Sequence, residues 1–234
     1  MILMKNKMPV LISVPHAGDR IPPEVENICI LNKQQIIKDG DVGASEVYDI
    51  EDEVANYIST KVARAIVDLN RSPDDRRKDG VIKTHTCWDE PVYEEYPSEE
   101  TIKMLLKKYY YPYHTRLTEL ASSSVFVGID CHTMAEKGPP VAPDAGLERP
   151  WICLSNGDGT CPDKWLNLLG KCMSEEFNGN VSLNKPFKGG YIVRNHAVEM
   201  PWIQLELSRA PFMTNMEKRE KVLAALKKWL NYFP

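Results

Sequence analysis

Short apolar runs, each carrying a titratable side chain at or just past its end, set the strongest limit on how this chain can fold. Pro9-Val-Leu-Ile-Ser-Val14 runs into Pro15 and His16, and Ser124-Val-Phe-Val-Gly-Ile-Asp130 runs into Cys131 and His132. Trp202-Ile-Gln-Leu-Glu-Leu207 carries Glu206 near its end. Runs of this length bounded by polar or turn residues read as buried strands. Trp151-Ile-Cys-Leu-Ser155 and Gly190-Tyr-Ile-Val-Arg194 read as two more. Between them the apolar spacing is helical. Positions 42, 47, 50, 54, 57, 58, 62 and 65 predict a helix over Val42–Ile66, with Ala63–Leu69 as a possible switch to strand. Ser98, followed by acidic residues, starts a helix that reaches Leu120 and that Pro112 should break or kink. Pro162–Phe177 and Asn215–Leu230 read as two further helices, and residues 70–98 and 135–149 as loops rich in turn formers. Strands alternating with helices predict one α/β domain over residues 1–234, with an open, mostly parallel or mixed sheet and helices on both faces.

Composition closes off other classes. The formal net charge is -4, and the one basic cluster, Arg76, Arg77 and Lys78, reads as a solvated loop, so no nucleic-acid partner is expected. No apolar run approaches the roughly 20 residues of a membrane span, and Met1–Met8 with Pro9–Val14 lacks the apolar length and cleavage site of a signal peptide. No membrane partner and a cytoplasmic location follow as expectations. The six cysteines form no C-x-x-C pair and read as reduced thiols. Cys131 and His132 are neighbours on a strand and point to opposite faces, which argues against a Cys/His nucleophile.

In a parallel sheet, chemistry gathers at the carboxyl ends of the strands. His16, Asn70 with Arg71, Asp130 with His132, Arg194 and Glu206 all fall at such ends. His16 and His132 offer imidazole nitrogens to a divalent metal, most simply zinc, and a carboxylate should complete the set. Asp19, three residues past His16, and Asp41, before the helix that follows, are the two candidates. Glu206, inside an otherwise apolar strand, fits a general base, with a buried ion pair to Arg194 or Arg209 as the structural alternative. Arg71 and Arg194 suggest a small anionic substrate held through its carboxylates. Gly189-Gly190 allows close backbone approach. His114 reads as a helical residue beside the Pro112 kink, and His196, close behind Arg194, as a candidate substrate contact.

The segments Ser13-Val-Pro-His-Ala-Gly18, Asp39-Gly-Asp41, Val67-Asp-Leu-Asn-Arg71, Ile129-Asp-Cys-His-Thr-Met134, Pro186-Phe-Lys-Gly-Gly-Tyr191 and Gln204-Leu-Glu-Leu207 resemble, in this order, those of N-formylglutamate amidohydrolases. The resemblance spans most of the chain. It implies an open phosphorylase/hydrolase-like sheet of the zinc-exopeptidase type. It also implies an Asn70–Arg71 pair for a substrate carboxylate, like that of aspartoacylases and metallocarboxypeptidases. The order His16, Asp41, His132, Glu206 is similar to the ligands and base of zinc-type N-acetylmuramoyl-alanine amidases. The resemblance favours Asp41 over Asp19, because family members often carry a non-acidic residue at the latter place. The segment Tyr191–His196 departs from the histidine-catabolic members, and Asp74–Arg77 and Trp88 have no clear counterpart. The expectation is a zinc amidohydrolase acting on N-formyl-L-glutamate, with Glu206 catalytic, His16, Asp41 and His132 on the metal, and Asn70, Arg71, Gly190 and Arg194 on the substrate. Another N-acyl amino acid, a small peptide, or a silent anion-binding module are the alternatives.

Overall fold

A computed structural model describes residues 7–122 and 124–233. Six strands form one open sheet: β1 (Met8–Val14), β2 (Val54–Ser59), β3 (Val127–Met134), β4 (Ile152–Ser155), β5 (Val181–Leu183) and β6 (Trp202–Ser208), in the order β2-β1-β3-β6-β4-β5. Only the β4–β6 pair is antiparallel. The mixed, mostly parallel sheet expected from the alternation is therefore present. β1 has β2 on one side and β3 on the other, so the chain leaves β1's carboxyl end at a point where the strand order reverses. Crevices of open α/β sheets form at such points.

Helices cover both faces. On one lie α2 (Ala44–Val47), α5 (Asp163–Phe177) and α7 (Asn215–Leu230), packed on Val10, Ile12, Ile129, Leu154, Ile203 and Leu205. On the other lie α1 (Lys33–Asp39), α3 (Glu99–Leu105), α4 (Tyr111–Leu120) and α6 (Tyr191–Asn195). Capping boxes at Asn32/Gln35 and Thr214/Glu217 start α1 and α7, which satisfies two otherwise orphaned backbone N–H groups at each.

Side chains alternate along a strand, and here the alternation places the site. Ile129 and Cys131 of β3 enter the first core, so Cys131 does point away from His132. The opposite face of the sheet changes character along its length. At its amino end Trp202 of β6 lies over Gly128 of β3, where a Cβ would come within 2.4 Å of the indole. Farther along, Asp130 stands in register with Gln204 and His132 with Glu206. One sheet face thus grades from apolar to polar toward its carboxyl end.

Four expectations are corrected. Residues 42–66 do not form one helix: α2 is four residues long, a 3-10 turn follows at Glu51–Glu53, and β2 takes Val54–Ser59. Residues 63–69 form turns rather than a strand. Gly190–Arg194 is not a strand but the start of α6, because Asn70 Oδ1 accepts from the Ile192 backbone N at 2.8 Å and satisfies a donor in the helix's first turn. Pro112 does not break its helix. A π-helical segment, Leu106–Tyr110, joins α3 to α4 just before it and absorbs the missing N–H.

Candidate active site

His16, Asp41 and His132 meet at the carboxyl ends of β1 and β3, and their ligand atoms lie within 4.8 Å of one another. His16 follows Pro15 out of β1, and its carbonyl accepts from the Asp41 backbone N at 3.1 Å. That bond ties the residue after α1 to the end of β1. Asp41 Oδ2 lies 3.0 Å from His132 Nδ1 and 3.6 Å from His16 Nδ1, and also accepts from the Thr133 N at 3.1 Å. The two Nδ1 atoms are 3.2 Å apart. Asp19 is exposed and belongs to no such group.

The far nitrogens explain the orientation. His16 Nε2 is 2.8 Å from Asp68 Oδ1, and His132 Nε2 is 2.8 Å from Asp130 Oδ2. Carboxylates are acceptors, so both Nε2 atoms donate outward and both Nδ1 atoms turn toward Asp41. Two imidazole nitrogens and a carboxylate converging at this distance need positive charge among them, a proton or a metal ion. A carboxylate holding the outer nitrogen of a ligating histidine is the usual support of a zinc site. The donor set therefore fits a catalytic zinc with an open position. The field agrees. Burial alone would lower His132, but Asp130 and Glu206 outweigh it and raise it well above the usual histidine range. Burial alone would raise Asp41, but His16 and His132 hold it well below the usual carboxylate range.

Glu206 faces this group from β6. Its Oε1 accepts from Gln204 Nε2 at 2.8 Å, and Gln204 Oε1 in turn accepts from the Gly190 N at 2.6 Å. Burial, reinforced by Asp41 and opposed by His132, raises the Glu206 carboxyl above its ordinary value. Neither Arg194 nor Arg209 pairs with it. Arg209 instead donates to the Gly40 and Thr133 carbonyls at 2.7 and 2.9 Å, with Asp41 Oδ1 at 3.5 Å, and so braces the Asp41 turn.

A cavity of about 380 Å³ opens over these residues. Arg71 lines it, with Nη2 on Asp79 at 3.1 Å. Asn70 also lines it, but its amide is spent on Asp130 (3.3 Å) and the Ile192 N, so it holds the site together rather than reaching outward. Gly190 is where a Cβ would come within 2.3 Å of the Asn70 amide, which explains the glycine. Arg194 is not among the cavity residues. It donates to the carbonyls of Gly157, Lys188 and Gly189 at 3.1, 3.1 and 3.2 Å and fastens the loop whose other side faces the cavity. His196 is also outside: it is buried against His114.

Several cavity or supporting residues were not singled out from the sequence. Gln204 lies two residues before Glu206 on the same strand face, a period-2 signal that could have found it. Arg149, bidentate to Asp144 at 2.7 and 2.8 Å and 4.9 Å over the Phe187 ring, carries no local signal. At the cavity wall, buried Asp39, Asp68 and Lys83 form a charge cluster with half-buried Arg64, Lys83 Nζ lying 2.9 Å from Asp39 and Arg64 Nε 3.1 Å from Asp68.

Comparison with known proteins gives this arrangement its family. The family model described as N-formylglutamate amidohydrolase matches residues 8–213. The chain belongs to the N-formylglutamate amidohydrolase family. It is 29% identical over 230 residues to an N-formylglutamate deformylase of Pseudomonas aeruginosa, covering 89% of this chain and 84% of that one. It is 28% identical over 229 residues to an N-formylglutamate deformylase of Pseudomonas putida, covering 91% and 85%. The crystal structure of an N-formylglutamate amidohydrolase from Ralstonia eutropha JMP134 shares the fold, with a TM-score of 0.78, 18% identity, and coverage of 96% of this chain and 94% of that one. Among the described residues no helix is long and apolar enough to cross a membrane.

Proposed function

We propose that this chain is a zinc-dependent amidohydrolase that cleaves N-formyl-L-glutamate to formate and glutamate. The observation that carries the reading is the buried His16–Asp41–His132 group facing Glu206 across one cavity that Arg71 also lines. The names of the Pseudomonas relatives supply the substrate.

His16 Nδ1, Asp41 Oδ2 and His132 Nδ1 would hold the metal. When bound, zinc polarises a carbonyl and lowers the pKa of water in its open position. Glu206 is the base that takes the proton from the attacking water. Gln204 fixes one of its oxygens and leaves the other for that task. The raised Glu206 carboxyl suits it to return the proton to the departing nitrogen, as general acid–base catalysis requires. Water adds to the formyl carbon, the C–N bond breaks, and the amine leaves with the proton Glu206 carried. Arg71 binds a substrate carboxylate, and Asn70, Asp68 and Asp130 keep the histidines turned correctly.

One feature favours a broader acyl range. Trp88, Met134, Val141 and Ala142 give the cavity an apolar flank that a formyl group alone does not need. A panel of N-formyl, N-acetyl and N-succinyl amino acids separates the readings. Formate release from N-formyl-L-glutamate as the preferred reaction supports the first. Faster turnover of a larger acyl group replaces it with the second, and no turnover of any member contradicts both.

A further inference from the structure

Two buried histidines take no part in this chemistry. His114 on α4 and His196, just after α6, meet edge to edge, with ring centroids 5.2 Å apart and planes 9° from parallel. His114 Nδ1 lies 2.9 Å from His196 Nε2. His114 Nε2 is 3.0 Å from the Leu69 carbonyl, which can only accept, so this nitrogen carries hydrogen. Burial and the neighbouring His196 push His114 down to about 4, so near neutral pH its Nδ1 is a bare acceptor. His196 Nε2 must then donate to it. His196 Nδ1 faces Glu199 Oε1 at 3.1 Å, an oxygen that also accepts from Thr118 Oγ1 at 2.8 Å. That contact requires a proton between nitrogen and carboxylate. A hydrogen-bonded chain therefore runs from Leu69 O through His114 and His196 to Glu199.

Its inner end is the segment that carries Asn70 and Arg71. The Tyr110 ring packs 4.3 Å from the His114 ring, and its hydroxyl donates to the Arg71 carbonyl at 2.7 Å. Tyr110 closes the π-helical segment and His114 lies one turn on, so both side chains reach the carbonyls on either side of Asn70. Asn70 itself has separate ties: its N donates to Asp68 and its amide to Asp130. Arg71 has no tie to β3 or β6 of comparable kind; its side chain holds Asp79 and its carbonyl holds Tyr110.

We propose that His114 and His196 are positioning residues for substrate binding: through the Leu69 carbonyl and the Tyr110 ring they set where Arg71 meets the substrate carboxylate. The identity of that substrate rests on the amidohydrolase reading; the proton arrangement does not.

The test uses the zinc-loaded full chain. His196→Phe keeps an aromatic ring in the same space and removes both nitrogens, while His196→Gln keeps a donor toward His114. For N-formyl-L-glutamate, KM is expected to rise about tenfold in His196→Phe with kcat within about threefold, and His196→Gln to recover part of the loss, the signature of lost ground-state and transition-state binding alike. Unchanged KM in a folded, fully metallated His196→Phe overturns the proposal, as does a fall in kcat alone. If that variant does not fold, Glu199→Gln removes only the outer charge and is expected to raise KM about threefold, with no change counting against the proposal. Imidazole 15N spectra of the wild-type protein give an arm independent of activity. They should show His114 Nδ1 unprotonated and His196 Nε2 protonated, and the reverse assignment overturns the proposal. If the wild-type protein releases no formate, the amidohydrolase reading fails while the spectra still decide the relay. The positioning role is then read from the Kd of L-glutamate, expected to weaken about tenfold in His196→Phe and overturned by an unchanged value.

Discussion

On one face of the sheet, α5 and α7 lie as long helices over a core of aliphatic and aromatic side chains, with Phe177, Leu226 and Trp229 fully buried. On the other face, residues 60–98 cross with only isolated bridges and turns, the α3–α4 helix opens into a π-helical segment, and the interior holds Asp39, Asp68, Lys83, Asp130, His16 and His132. The difference shows where each face spends its sequence. Burying charge costs several kcal/mol per ion before pairing. The second face accepts that cost because paired carboxylates turn two histidines toward one point. The regular face offsets it by apolar burial that asks nothing of geometry beyond fit.

Glu206→Gln probes the chemistry of the second face alone. It keeps the shape and a hydrogen-bonding partner for Gln204, so kcat for formate release should fall by about 10²–10⁴, the range of general acid–base contributions, with zinc content unchanged. Retained activity removes Glu206 from the mechanism. Asp39→Ala leaves Lys83 buried with only Asp68 nearby, at 3.6 Å, and should cost about 3–5 kcal/mol in chemical denaturation. Asp39 also fixes a pH window. Burial raises its carboxyl, but Lys83 and Arg64 outweigh burial and lower it from 3.8 to about 2. A lowered folded value means its contribution is complete above about 3.8 and is lost as pH falls from there to about 2. Asp39→Asn should flatten acid unfolding across that window, and an unaltered acid limb contradicts the pairing.

The regular face gives the contrasting results. Trp229→Ala should cost about 3–5 kcal/mol by cavity formation, yet leave kcat and KM of the folded fraction unchanged. A change in KM there would blur the division between the faces. Thr214→Ala removes the α7 cap and should lower stability by about 1 kcal/mol, read as a small fall in Tm with no kinetic effect.

The same contrast separates what was legible in the sequence from what was not. β1, β3, β4, β6, α5 and α7 were readable because continuous apolar runs and helical apolar spacing encode them locally. β2 was hidden inside a helical reading, since Val54, Tyr57 and Ile58 satisfy a helical spacing as well as an edge strand whose side chains are mostly half-buried. β5 is three residues long and gave no run to find. Tyr191–Asn195 has strand-like residues but is held as a helix by Asn70, 122 positions away. In the site, His16, His132 and Glu206 could be found as strand-end residues. The choice of Asp41 over Asp19 came from family resemblance, and the structure reaches the same residue through the His16 carbonyl and the Thr133 N. Asp68 and Arg149 owe their places to contacts no local pattern records, and Arg194 has the right residue type in a loop-fastening role.

The most direct test of the central claim is formate release from N-formyl-L-glutamate by the purified protein before chelation, after chelation, and after zinc is restored. Release that chelation abolishes and zinc recovers is the expected result. Turnover unaffected by removal of all metal would contradict the role given to His16, Asp41 and His132.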